Sequence, residues 1–136
     1  MVSTKLMHWT LKLAGGAVII VASFLGTLWL YDRQWPPCPS GERVALAKPF
    51  QKNKNAYYSA APGLAAVADG PGAITRSKYA VCEDHYALGP PHSDLDSIPA
   101  KGGGRFIHWM EGFHFSTSDN SNPNTNGRVY TAVEIQ

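Results

Sequence analysis

The sequence predicts a single N-terminal transmembrane helix followed by a small β-rich (α+β) extracytoplasmic domain with an antiparallel meander. Three observations carry this. Nineteen consecutive residues, Leu13 to Tyr31, contain no charge. Two cysteines, Cys38 and Cys82, both lie after that run. Segments further on alternate with the two-residue period of a strand that has one face buried. The run and its basic leader leave about 105 of the 136 residues, enough for one ordinary domain and too few for a multidomain enzyme. From Arg33 onward ten Lys and Arg face nine Asp and Glu. A domain so balanced lacks the basic field that phosphate backbones require, which argues against nucleic acid as a partner.

Residues 1–12 form a short leader in which Lys5 and Lys12 precede the span, whereas Asp32 and Arg33 cancel after it. The positive-inside tendency then puts the N-terminus in the cytoplasm and the larger portion outside, the arrangement of a single-pass inner-membrane protein with a periplasmic domain. A helix over 13–31 would be roughly 28 Å long, close to the hydrocarbon thickness of a bilayer. A cleaved signal peptide is the competing reading, but the run exceeds a usual h-region and ends in bulky Leu28, Trp29, Leu30 and Tyr31. Trp9 on one side and Trp29, Tyr31 and Trp35 on the other fit the two headgroup levels. Gly15, Gly16, Ala22 and Gly26 give the helix a small-residue face on which another helix can pack closely.

Residues 32–43 read as a Pro-rich linker, because the prolines of WPPCPSG fix φ and remove donors. An even cysteine count outside the cytoplasm predicts a Cys38–Cys82 disulfide, closing a loop of about 45 residues worth about 4 kcal/mol in the chain-entropy model. A metal site on Cys82, His85 and His92 is the alternative, with incomplete ligand spacing.

The domain itself covers 44–136. Residues Val44 to Phe50 suit a short strand limited by Pro49, and Gln51 to Asn55 a polar turn. Pro62 to Asp69 suit a short helix with Pro62 in its first turn. Lys78 to Glu83 alternate as a strand, Leu88 to Pro91 turn the chain, and His92 to Gly104 read as a loop ending in three glycines. Arg105–Met110 and Phe113–Ser118 flank Glu111 and Gly112 as a hairpin, with Gly112 supplying positive φ and Met110 paired with Phe113. That register places Phe106, His108, Met110, Phe113, Phe115 and Thr117 on the core face. A last strand, Arg128 to Ile135, is expected to extend this hairpin into a meander.

The most unusual segment is SDNSNPNTNGR, Ser118 to Arg128. Such residues build rigid turns through side-chain-to-backbone hydrogen bonds. Their clustered amides also suit sugar hydroxyls or a partner's backbone, so Asp119, Asn120, Asn122, Asn124 and Arg128, with Trp109 as a stacking surface, are the candidate contact residues. A calcium loop is disfavoured by its single carboxylate, Asp119, and by the lack of a glycine at the sixth position. The run His92-Ser93-Asp94 suggests hydrolysis only superficially, since adjacency in sequence is not triad geometry and no GxSxG elbow is present.

The words LGPPHS, GGGRFIHW and FHFSTSDNSNPNTNGR, between Leu88 and Arg128, resemble C-terminal parts of bacterial cell-envelope proteins, including proteins of surface-glycan assembly. The likeness covers about 40 residues, through His92, Ser93, Gly104, Arg105, His108, Trp109, Ser118, Asp119, Asn120 and Arg128. It implies a reusable β-module rather than an activity. The expectation is therefore a noncatalytic accessory subunit of a larger membrane complex, docked by its helix and outer domain, with the bilayer and other membrane subunits as partners and no cofactor. A membrane-anchored module binding an envelope glycan is the alternative.

Overall fold

The computed structural model describes residues 35–136. The predicted span, its small-residue face at Gly15, Gly16, Ala22 and Gly26, and the leader lie outside the described residues.

Among the described residues the strands are β1 (Arg43–Ala45), β2 (Gln51–Asn53), β3 (Ala56–Ala60), β4 (Tyr79–Glu83), β5 (Tyr86–Ala87), β6 (Phe106–Trp109), β7 (Gly112–Phe115) and β8 (Tyr130–Glu134). One sheet has the order β1-β8-β4-β5 and the other β2-β3-β7-β6, with every pair antiparallel. Aromatic side chains join the two inner faces. Phe50 meets Phe115 and Tyr130 edge-on, with ring centroids 5.1 and 5.7 Å apart, and Tyr79 of one sheet reaches His108 and Phe113 of the other. Edge-to-face contacts of this kind add to the burial of the rings themselves.

Hairpins β2–β3, β4–β5 and β6–β7 each turn through two residues, and the first of each pair, Lys54, Asp84 and Met110, has positive φ. The polar turn expected over Gln51–Asn55 is thus only its last two residues. Gln51–Asn53 is an edge strand exposed along its whole length, so it carries no apolar alternation for a sequence reading to detect. The hairpin at Gly112 also differs from expectation. Trp109, not Met110, is the last paired residue of β6, opposite Gly112. The turn moves by one residue and each cross-strand partner by two, so Phe106, His108, Phe113 and Phe115 keep the core face, whereas Met110, expected there, lies exposed in the turn.

Gly112 is small for a reason other than φ. A Cβ there would lie 2.4 Å from the Tyr58 ring and 2.5 Å from the Ser59 carbonyl oxygen of β3. Gly112→Ala is expected to destabilise the domain by about 1–3 kcal/mol, the range for overpacking. An unchanged denaturation midpoint would contradict this close fit.

The glycines that end the predicted loop do need positive φ: Gly102, Gly103 and Gly104 have φ of 61, 65 and 78°. That loop contains a one-turn helix, α1 (Ser97–Lys101), with Pro99 tolerated in its first turn, where no intrahelical N–H bond is lost. One turn is too short to show a period, yet Ile98 is fully buried against Ala56 and Ile107. The short helix expected from Pro62 is a 3-10 helix, Pro62–Val67.

The last strand does not extend the β6–β7 hairpin. It inserts into the other sheet between β1 and β4, with Tyr130, Ala132 and Val133 buried. There Cys38 and Cys82 form a disulfide, Cα atoms 5.8 Å apart, and Val133 and Ala87 pack beside it. This bond removes the Cys82 thiolate that the alternative metal site would need. From Pro36 the Pro-rich segment runs along β5, where Cys38 N donates to the His85 carbonyl and Ala87 N to the Pro36 carbonyl.

Candidate functional site

Most of the polar residues singled out in the sequence are joined to the domain itself. Asn124 brackets Phe50: its Oδ1 accepts from Phe50 N at 2.8 Å and its Nδ2 donates to the Phe50 carbonyl at 3.1 Å. Asn120 Oδ1 accepts from Gly103 N, Asn122 Oδ1 from Asn124 N, and Asp119 Oδ1 from Ser121 N. Arg128 makes a two-pronged contact with Asp119 at 3.0 and 2.7 Å and reaches Glu83 at 2.9 Å. The hydrogen bond from Arg128 holds the Asp119 carboxyl well below its usual range. The nearly buried Glu83 also accepts from the hydroxyls of Ser118 and Tyr130. This network carries the chain from β7 to β8, between the sheets, and burial raises the Tyr130 phenol.

The His92-Ser93-Asp94 run diverges. Ser93 Oγ donates to the Pro90 carbonyl, while the Asp94 carbonyl accepts from Ser97 at the start of α1. His92 Nδ1 instead lies 2.7 Å from Asp69 Oδ2. Asp69, buried in its own segment, also accepts from Ser77 N, and Ser77 Oγ lies 2.8 Å from His108 Nδ1. Backbone bonds from Asp69 N to the His108 carbonyl and from Met110 N to the Asp69 carbonyl cover the free side of β6. Neither Asp69, in a run of Gly, Ala and Pro, nor Ser77, between Arg76 and Lys78, stands in a periodic pattern that would mark it in the sequence.

Trp109 lies elsewhere, in an open groove of about 710 Å³ on the outer face of the β2-β3-β7-β6 sheet. Helix α1 covers part of this face and contributes Pro99, beside Leu95. The register aligns Gln51, Tyr58 and His114 in one cross-strand row, and the Tyr58 and His114 rings are 4.9 Å apart. Asn53, Lys52 and Glu111 also line the groove. Gln51, Asn53 and Tyr58 carry no sequence signal, since β2 is polar and exposed throughout and AYYSA, with two adjacent tyrosines, does not alternate. Among the described residues, no group of three or more His, Cys, Asp or Glu side chains is placed to hold a metal ion.

Burial lowers the pKa of both His108 and His114, with Asp69 opposing the shift at His108. The folded domain therefore disfavours the charged rings at pH values where the unfolded chain, near the ordinary histidine value of 6.5, takes up protons. Their stabilising contribution is complete above about pH 6.5 and declines as the pH falls through and below it. Urea midpoints measured at pH 7.5 and 5.5 are expected to be lower at the acid value; equal midpoints would rule out burial of the neutral rings.

Comparison with protein-family models, curated proteins and solved structures returned no match to this chain. The geometry defines a compact β-rich domain consistent with a small accessory or docking module.

Proposed function

We propose that the protein is a noncatalytic, single-pass accessory subunit of a larger membrane complex, anchored through residues 13–31 and using the outer domain to cover a partner's extracytoplasmic surface. The observation that carries the noncatalytic reading is how the ionisable groups are disposed. Asp69, Glu83, Asp119, His92 and Arg128 bond to the domain's own groups. Among the described residues, no hydrogen bond or ion pair joins Lys52, Glu111 and His114 of the groove to one another. Nucleophilic and general acid–base catalysis rely on a side chain within hydrogen-bond reach of its activating partner; Ser77 and His108 meet that condition at 2.8 Å, but both are buried, out of reach of a substrate. A domain that spends its charges on rigidity and leaves an open face is suited to contact rather than turnover.

Extraction from native membranes in mild detergent, followed by size analysis, tests the reading. A complex of fixed stoichiometry is expected, with cross-links from the outer domain to the same partner. A strictly monomeric protein would overturn it. Protease added to sealed, correctly oriented cells is expected to remove the outer domain, and full protection would contradict the topology.

A further inference from the structure

We propose that the groove on the outer face of the β2-β3-β7-β6 sheet is a binding site for a neutral oligosaccharide, with Trp109 and Tyr58 as stacking surfaces and Gln51 and Asn53 as hydroxyl partners. This goes beyond the accessory-subunit reading and does not depend on it.

Carbohydrates present two chemistries at once. The C–H faces of a pyranose are apolar and suit an aromatic ring, while the ring edge carries hydroxyls that both donate and accept. The groove supplies both. Tyr58 and Trp109 lie on the same face of the sheet, on adjacent outward-facing rungs about 7 Å apart along the strand direction. Gly112 holds this arrangement: its missing Cβ leaves the space that the Tyr58 ring occupies. Trp109 is steadied from behind by the cluster of Ala56, Ile98 and Ile107, so both rings are placed before a ligand arrives.

Gln51 and Asn53 stand two residues apart on β2, hence on one face, and both are exposed. Each amide offers a carbonyl acceptor and an NH2 donor, the pairing that vicinal hydroxyls require. They differ in this from the asparagines of the 118–128 loop, whose amides are bonded to the protein's own backbone.

Charge points to a neutral ligand. The lining has one cation, Lys52, and one anion, Glu111, and burial disfavours the charged form of His114. A peptide strand is less suited to this face. The β6 edge is already bonded by Asp69 and by Ser93 and Pro90, and β2 is only three residues long. The volume lies within the range of small-molecule sites.

The test uses the full chain in phosphatidylcholine nanodiscs, which avoids detergents with sugar headgroups. Chitotriose, cellotriose and maltotriose are titrated and followed by calorimetry and saturation-transfer NMR. Binding of at least one trisaccharide, little affected by salt, is expected. Tyr58→Ala is expected to weaken it about tenfold, and Asn53→Ala, at an exposed side chain that can be lost without unfolding, several-fold. Ile74→Ala, at an exposed side chain outside the groove, serves as the comparison. No binding to any of the three, binding indifferent to Tyr58→Ala and Asn53→Ala, binding that requires Lys52 and disappears with salt, or a protein cross-linked through position 53 in place of sugar binding would each overturn the assignment. None of these outcomes alters the size analysis of the complex, so the two readings fail separately.

Discussion

Replacing both Cys38 and Cys82 by alanine is expected to destabilise the β-rich domain by about 4 kcal/mol, the largest effect of any change considered. The bond joins residues 44 apart, and in the chain-entropy model the cost of leaving that loop open falls on the unfolded state. It also ties the segment before β1 to the centre of β4, where Cys82 is fully buried beside Val133 and Ala87. A domain of about 100 residues has a total stability of only about 5–15 kcal/mol, so a large part of it is at stake. Urea denaturation of the double variant, compared with the oxidised parent, gives the difference directly. A midpoint unchanged by the substitutions would mean that the bridge adds nothing to the fold.

Arg128→Met is expected to cost about 2–4 kcal/mol, because it leaves the Glu83 carboxylate in a nearly buried position without its counter-charge. Three hydrogen bonds from Ser118 and Tyr130 remain to Glu83, which keeps the loss below that of a fully orphaned ion. The same substitution releases Asp119, and with it the turn over Ser118–Arg128 that delivers the chain to β8. Coupling is the sharper measurement. In a double-mutant cycle, Glu83→Gln with Arg128→Met is expected to lose less than the sum of the single changes, since the neutral amide no longer needs the cation. Additive losses would show that Arg128 acts through Asp119 alone.

The groove and the network differ in how visible they were beforehand. The loop rich in Asn and Asp announces itself by composition, and its role as a rigid turn follows from the tendency of those side chains to bond nearby backbone. That Asn124 would grip Phe50, 74 positions away, does not follow from composition. The groove is the reverse case. Gln51, Tyr58 and His114 belong to three strands and become neighbours only through pairing. No local pattern marks them, and β2 is polar throughout because it is an exposed edge.

Local periodicity determined the strand over Lys78–Glu83, the β6–β7 hairpin and its core face, and a short helical segment after Pro62, because each depends on side chains within a few residues of one another. Cysteine count and placement determined the disulfide, there being one partner for each thiol. Partner choice between strands was decided only in three dimensions. The last strand has the same alternation whether it extends the β6–β7 hairpin or crosses to lie between β1 and β4. What selects the crossing is burial of Tyr130 against Phe50 and Phe115 together with the Glu83–Arg128 contact, interactions between residues 15 to 80 positions apart. The turn register was likewise set from outside the hairpin: the Tyr58 ring needs the space over Gly112, so the glycine sits in the strand and Met110 takes the positive φ.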